Sequence, residues 1–189
     1  EKNKYGNTTG SDLWAALAEA SGTDVAGYME PWLTRSGFPV VSVDQVGSSV
    51  AIEQNHFLVD PSKVDTERMW PVPLLSTSSE IPELLSKRGC TATVNESGYV
   101  RINNGASGHY IVHYKQGEHL NAVAALAEQK KLTPAERLML LSDSSLLARA
   151  DYMSFAASLS LLTYYASEDT EPVWDMIALL LADARRFID

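Results

Sequence analysis

The sequence predicts a multi-domain chain of the α and β class with three successive parts. A short helical pair comes first, then a small antiparallel β-sandwich, then an α-helical bundle or the start of an α-solenoid. The prediction rests on the period of the apolar residues, which is helical at first, changes to two from Val40, and is helical again from Glu118. We therefore place the domains at residues 1–38, 39–116 and 117–189.

Composition and charge restrict the class of protein. Of the 189 residues, 45% are hydrophobic and 21% charged, as in an ordinary globular protein. The formal net charge of -9 argues against a nucleic-acid partner, because proteins that bind phosphate backbones present a basic face. The single cysteine, Cys90, excludes an intrachain disulfide and a CxxC metal site.

Two features concern the ends of the chain and membranes. The longest apolar run near the C-terminal end, residues 176–182, is far shorter than the ~20 residues needed to span a bilayer. The chain opens on Glu1 without a methionine or a signal-peptide pattern, and it stops just after a helical pattern. We expect both ends to be cuts through a longer protein.

The first part predicts two short helices. Ser11 and Asp12 supply capping side chains for the first helix and Gly22 ends it, while the second begins at Thr23-Asp24. Pro31 lies inside the apolar stripe of the second helix, where it should kink or break that helix. Each helix has an apolar face with little to cover it, so we expect the pair to be too small to fold alone.

The middle part predicts roughly six to eight short strands. Residues 40–59 alternate around a turn at residues 45–47, and two prolines make residues 70–75 an edge strand or extended segment. Residues 91–94 predict a strand, followed by a turn at residues 95–98. In residues 99–114, two apolar runs flank a centre of Asn, Gly, Ala and Ser, which predicts a hairpin with an irregular turn. Strands at this spacing are typical of a small antiparallel sandwich.

The last part predicts four or five helices. Thr133, Pro134 and Glu136 supply a cap, a first helical residue and a capping box. Acidic side chains favour a helix N-terminus, and this predicts a further helix start at Glu168, Asp169 and Glu171. The helical segments are expected from Glu118, from Thr133, and at residues 144–150, 152–165 and 171–187.

The two histidines His109 and His113 are the most tempting metal ligands. On a helix they would face one zinc ion, as in a His-Glu-x-x-His motif. However, Tyr110 occupies the Glu position and the run is typical of a strand, on which four residues span ~13 Å. That span is too long for both imidazoles to bind one zinc at ~2 Å. We therefore predict surface or interface histidines of a strand.

The other candidates are weaker still. His56 and His119 have no partner at ligand spacing, and the run from Gly105 to Gly108 lacks the Lys and Ser/Thr of a phosphate loop. We predict core positions for the four tryptophans, Trp14, Trp32, Trp70 and Trp174. No catalytic, cofactor-binding or metal-binding residue is predicted in this chain.

Three stretches taken together resemble a known family. The first is Leu13-Trp14 followed by Ser21-Gly22, Met29-x-x-Trp32 and Gly37-Phe38-Pro39-Val40-Val41, and the second is Trp70-Pro71-Val72-Pro73-Leu74. The third, Asn104-Gly105 to Tyr114, resembles an Asn-x-Gly-x-x-Gly-x-Tyr-x-Val-x-Tyr signature. In order and spacing they resemble zinc aminopeptidases of the aminopeptidase N, puromycin-sensitive and endoplasmic-reticulum type. The resemblance covers essentially the whole chain.

The resemblance implies an architecture and no catalytic residue. It corresponds to the end of the family's catalytic domain, its β-sandwich and the start of its helical C-terminal domain. The family's zinc site, catalytic Tyr and Gly-x-Met-Glu-Asn clamp all precede the point where this chain starts. Residues 27–31 imitate the clamp, but Pro31 replaces its Asn and the order is wrong, so we interpret them as a coincidence. His109, where an aromatic residue is usual, is a further departure.

The leading hypothesis is a non-catalytic portion of a zinc aminopeptidase that removes N-terminal residues from peptides. The sandwich would be a spacer and the helices part of the wall of the peptide chamber. We expect no cofactor in this chain, with zinc in the full-length parent, and no activity from the chain alone. The expected partners are the remaining parent domains and the peptide substrate, with no nucleic acid and no membrane-spanning segment.

Two alternatives stay open from the residues. One is a free-standing module that binds a peptide or a protein and has no enzymatic parent. The other is an independent hydrolase, which would need a nucleophile or metal site that the sequence does not contain.

Overall fold

The computed structural model describes residues 6–95 and 98–185. The chain divides into two compact units, residues 1–36 and residues 37–189. The predicted turn at residues 95–98 and the predicted helix end at Phe187 lie partly outside the described residues. No described helix is both long enough and apolar enough to cross a membrane.

The first unit contains two helices, α1 (Gly10–Ser21) and α2 (Val25–Thr34). The Asp12 carboxylate accepts a hydrogen bond from the Thr9 backbone N–H at 2.9 Å, and Gly22 ends α1 in the left-handed conformation with φ 70°. Of the two predicted effects of Pro31, a kink or a break, the break does not occur, because α2 continues through Pro31 to Thr34. A proline so close to the end of a helix removes one hydrogen bond, which the remaining turn tolerates. Neither helix contains a buried residue.

The second unit begins with a mixed four-stranded sheet in the order β5-β2-β1-β6. The strands are β1 (Pro39–Val46), β2 (Ser49–His56), β5 (Gly89–Thr93) and β6 (Ile111–Tyr114). A two-stranded ladder consists of β3 (Val72–Pro73) and β4 (Leu84–Leu85), which agrees with the extended segment predicted at residues 70–75. The β1–β2 and β2–β5 pairs are antiparallel, but β6 pairs with β1 in parallel. The prediction of a wholly antiparallel sheet is therefore wrong.

The predicted hairpin at residues 99–114 is also wrong. Only β6 is a strand, and residues 99–110 form an irregular loop. Val100 and Ile102 are buried, but the backbone around them does not pair with a strand. The Val100 N–H donates to the Gln45 side-chain oxygen at 2.8 Å, and the Arg101 carbonyl accepts from the Thr77 N–H at 2.9 Å. The alternation of apolar residues therefore reports burial and not strand pairing.

Four helices and a 3₁₀ turn complete the second unit. They are α3 (Gly117–Glu128), α4 (Pro134–Arg149), α5 (Phe155–Ser160), a 3₁₀ turn (Leu161–Tyr165) and α6 (Glu171–Arg185). The predicted capping box of α4 is confirmed, with the Thr133 N–H donating to the Glu136 carboxylate at 2.8 Å and the Glu136 N–H to the Thr133 hydroxyl at 3.2 Å. The separate segment predicted at residues 144–150 is the end of α4.

The core of the second unit forms where α4 packs against the sheet. One buried cluster joins Val40 of β1 and Ile111 of β6 to Leu147 and Ala150 at the end of α4, with Phe57 after β2. Apolar residues on both faces of β1 are buried, as expected for a strand covered on both sides.

The tryptophans differ from the prediction. Only Trp70 is a core residue, at 1% exposed, whereas Trp174 is 49% exposed and Trp14 and Trp32 are partly exposed. Three of the four side chains therefore lie at or near the surface of the described chain.

Gln54 of β2 connects the sheet to the segment that carries β3 and β4. The side chain is fully buried, its oxygen accepts from the Trp70 backbone N–H at 2.9 Å, and its nitrogen donates to the Trp70 carbonyl at 2.8 Å and the Lys87 carbonyl at 2.9 Å. One amide thereby satisfies three backbone groups that lie away from water.

Replacing Gln54 with Leu keeps a similar volume and leaves these backbone groups unpaired. We expect the free energy of unfolding of the 189-residue chain to fall by about 2–4 kcal/mol in urea denaturation. The control is Glu53→Gln at the exposed neighbouring position, which should change stability by less than about 0.5 kcal/mol. Equal stability of the two variants would contradict this role of Gln54.

Candidate functional site

The candidate site is the loop of residues 99–110 together with the helix that holds it, α4. The Asn103 side chain closes the loop, because its oxygen accepts from the Gly108 N–H at 2.7 Å and its nitrogen donates to the Gly108 carbonyl at 3.1 Å. A Cβ atom added to Gly108 would lie 2.4 Å from the Tyr110 ring. The close approach of Tyr110 therefore requires glycine at this position.

The loop is attached to the segment that follows Trp70. The Tyr110 hydroxyl donates to the Leu74 carbonyl at 2.8 Å, and the Asn103 N–H donates to the same oxygen at 2.8 Å. Two of the three stretches that carry the family resemblance, residues 70–74 and 104–114, thus meet in space. The spacing of their residues has a structural reason.

Glu136, at the start of α4, is the main polar contact of the loop. One carboxylate oxygen accepts from the Gly105 N–H and from the Arg101 guanidinium, both at 3.1 Å, and the other accepts from Thr133. Burial by itself raises the pKa of Glu136, but the hydrogen bonds from Thr133, Gly105 and Arg101 outweigh burial and hold that pKa below its ordinary value. The helix cap and the loop therefore share one carboxylate.

Asp143 lies two turns further along α4 and contacts the strand after the loop. Its carboxylate is 7% exposed and accepts the Val112 N–H at 2.9 Å. Since β6 pairs with β1 on its other side, this contact satisfies an N–H on the outer edge of the sheet. Burial raises the pKa of Asp143 to about 7, although the Val112 N–H acts in the opposite direction.

His119 of α3 supports the start of the loop. Its Nε2 lies 2.7 Å from the Val100 carbonyl, which can only accept, so Nε2 carries the proton. The ring packs against Tyr99 and Tyr114, with centroids at 4.6 and 4.3 Å. Burial lowers the pKa of His119 to about 4, so the imidazole is neutral at pH 7. It acts here as a hydrogen-bond donor to the backbone.

The histidines considered as metal ligands have separate neighbours. His113 on β6 is within 3.1 Å of the Ser42 hydroxyl through Nδ1, whereas His109 is exposed and packs on Phe38 with ring centroids 5.2 Å apart. Nδ1 of His56 accepts the Asp65 N–H at 3.2 Å. Among residues 6–95 and 98–185 no group of three or more His, Cys, Asp or Glu side chains could hold a metal ion.

A second polar connection was missed from the sequence. Arg137 forms a two-pronged ion pair with Glu168, with N–O distances of 2.7 and 2.8 Å and side chains 6% and 1% exposed. The Arg137 hydrogen bonds lower the pKa of Glu168 to about 2. Glu168 also accepts the N–H groups of Asp169 and Thr170 just before α6, in agreement with the predicted helix start.

No local pattern in the sequence marks Arg137 or Asp143 as important. Arg137 and its partner Glu168 are 31 positions apart, and so are Val112 and Asp143. The site therefore binds segments of the chain to one another, and its described groups supply hydrogen bonds and charge pairs for that purpose.

Comparisons with known proteins agree with the resemblance. Residues 99–189 match the model of the ERAP1-like C-terminal domain family. Aminopeptidase N of Lactococcus lactis subsp. cremoris is 33% identical over 100% of this chain, aminopeptidase 2 of Candida albicans is 34% identical over 94%, and the alanine/arginine aminopeptidase of Saccharomyces cerevisiae is 32% identical over 93%. The chain spans 23%, 20% and 21% of the length of these relatives.

Removal of the Glu136 carboxylate tests its role in the loop. We expect Glu136→Ala to lower the free energy of unfolding by about 2–4 kcal/mol, because the Gly105 N–H, Arg101 and Thr133 lose their acceptor together. Hydrogen exchange at Gly105 should accelerate by about tenfold or more. The control is Glu128→Ala at the exposed end of α3. An equal effect of the two substitutions would show that Glu136 does not fix the loop.

The raised pKa of Asp143 should make the stability of the chain depend on pH. Its folded pKa is about 7 against an ordinary value of 3.8, so between these pH values the folded state binds more protons and stability falls as the pH rises. Asp143→Asn keeps an acceptor for Val112 and removes the titration. We measure the free energy of unfolding of the variant minus that of the parent chain by urea denaturation. This difference should increase by about 1–3 kcal/mol from pH 5 to pH 8. A difference that does not change with pH would refute the prediction.

Proposed function

Since the chain is homologous over its whole length to the C-terminal part of aminopeptidase N-family enzymes, we propose that it is a non-catalytic portion of a zinc aminopeptidase that removes N-terminal residues from peptides. The observation that carries the proposal is the coverage of the match, which includes 100% of this chain and 23% of the Lactococcus relative. A match over all of this chain but only 23% of the relative is expected when the chain corresponds to one part of a larger protein.

The helical pair of the first unit supports the proposal. Leu13, Leu17 and Leu33 are 53%, 43% and 63% exposed, and neither helix has a buried residue. Helices of this length gain most of their stability from packing of an apolar face. In the proposed parent, the catalytic domain to which residues 1–38 belong covers that face.

The second unit corresponds to two functional parts in this proposal. Residues 39–116 are the sandwich spacer, built from the four-stranded sheet and the β3–β4 ladder that Gln54 connects. Residues 117–189 begin the helical domain, as the start of a solenoid that forms part of the peptide-chamber wall. The contacts of Glu136 and Asp143 with the loop and β6 would fix the angle between spacer and wall.

The zinc of the proposed parent lies outside this chain. The described residues provide no group of side chains that fits the metal. When bound in the parent, zinc would supply a Lewis acid and an activated water for attack on the first peptide bond. The role left for the present residues is to position the wall of the chamber.

A free-standing peptide- or protein-binding module is the second candidate. The observation that favours it is the core of the second unit, where the buried cluster between α4 and the sheet consists of residues of that unit. Such a module needs no catalytic domain before Glu1. The two candidates therefore differ in what the gene encodes upstream.

The reading frame upstream of Glu1 separates the two candidates. The proposal predicts a continuous frame with a His-Glu-x-x-His motif. The purified product of that frame should bind zinc and hydrolyse aminoacyl-coumarin substrates, which releases their N-terminal residue. The 189-residue chain alone, assayed in parallel, should do neither. A start codon directly before Glu1 would favour the module, and turnover by the chain alone would refute both.

A further inference from the structure

A cavity of about 220 Å³ lies among β6, α3, α4 and α5, in the second unit. Its walls are mainly apolar, with Leu120 from α3, Leu140 and Leu147 from α4, and Tyr152 and Met153 from the turn before α5. An apolar cavity of about 150 Å³ in another protein holds a benzene molecule, so this one has room for a single substituted aromatic ring. Pockets of this kind gain specificity from a few polar groups in an apolar lining.

His113 is one of the polar side chains that line this cavity. Its Nδ1 is within 3.1 Å of the Ser42 hydroxyl. The described residues form no hydrogen bond with its Nε2. The other side chains with polar atoms in the wall are Ser144, Tyr114, Lys115 and Tyr152. The Ser144 hydroxyl already donates its proton to the Leu141 carbonyl at 2.9 Å. The Nε2 atom of His113 can therefore pair with one polar group of a ligand in this cavity.

The charges around His113 restrict the polar group of the ligand. Burial and the nearby Lys115 ammonium lower the pKa of His113 to about 4, so the ring is neutral at pH 7. The same ammonium disfavours a cationic ligand. The Ser42 contact allows either tautomer of His113, which makes Nε2 a donor or an acceptor. A hydroxyl group pairs with both, because it donates and accepts.

We propose that this cavity binds a small neutral phenol, with its ring between the leucines of α3 and α4 and its hydroxyl on Nε2 of His113. This site does not depend on the aminopeptidase proposal, because it needs no residue from another domain of the proposed parent. Its recognition has two parts, ring burial against Leu140 and Leu147 and one hydrogen bond to His113.

The test uses p-cresol and toluene, which differ only in the hydroxyl group. Both are titrated into the 189-residue chain while the Met153 methyl and His113 ring signals are followed by NMR. We expect both compounds to shift Met153, with p-cresol bound about three- to tenfold more tightly because of its hydrogen bond. In His113→Phe, which keeps a ring and removes both ring nitrogens, that advantage should disappear.

A cavity-filling variant supplies the matched control. Ala157 lines the cavity from α5, whereas Ala156 beside it is exposed, so Ala157→Leu should abolish binding of both compounds and Ala156→Leu should leave it unchanged. The proposal is overturned if neither compound shifts Met153 at about 10 mM, a weaker limit than most specific sites. It is also overturned if Ala157→Leu binds normally, or if the product of the complete reading frame fails to bind, since another segment then fills the cavity.

Discussion

Two buried carboxylates on one helix face hold the second unit together. Glu136 and Asp143 are seven positions apart on α4, which places them two turns apart on the same side of the helix. The Glu136 carboxylate accepts hydrogen bonds from Gly105 and Arg101 of the loop. The Asp143 carboxylate accepts a hydrogen bond from Val112 at the edge of the sheet. Buried carboxylates are unfavourable without such donors, so helix, loop and strand depend on one another. A shift of α4 would separate Glu136 from Gly105 and Asp143 from Val112.

Local signals in the sequence predicted the local structure. The capping residues Thr133 and Glu136 and the C-cap glycine Gly22 act within one turn of the chain, and they identified helix ends correctly. The pairing of β6 with β1 is different, because His113 and its partner Ser42 are 71 positions apart. An alternating pattern of apolar residues predicts which side chains are buried, but it does not predict which strand pairs with the segment. The hairpin prediction failed for this reason.

The candidate site could be located from the sequence, but its contacts could not be predicted. The spacing of glycines and tyrosines in residues 104–114 pointed to the family, although a hairpin was predicted there. The structure explains the spacing by the Asn103 hydrogen bonds to Gly108 and the Tyr110 hydrogen bond to Leu74. Arg137 and Asp143 carry ordinary helical spacing and gave no signal. Their importance comes from burial and from partners far along the chain.

The central claim is that this chain is one part of a larger enzyme, whose other domains cover the apolar face of α1 and α2. Hydrogen–deuterium exchange of the α1 and α2 amides tests it most directly, because neither helix has a buried residue of its own. The account predicts rapid exchange in the 189-residue chain and strong protection of the same amides in the product of the complete reading frame. Equal protection in both proteins would contradict it.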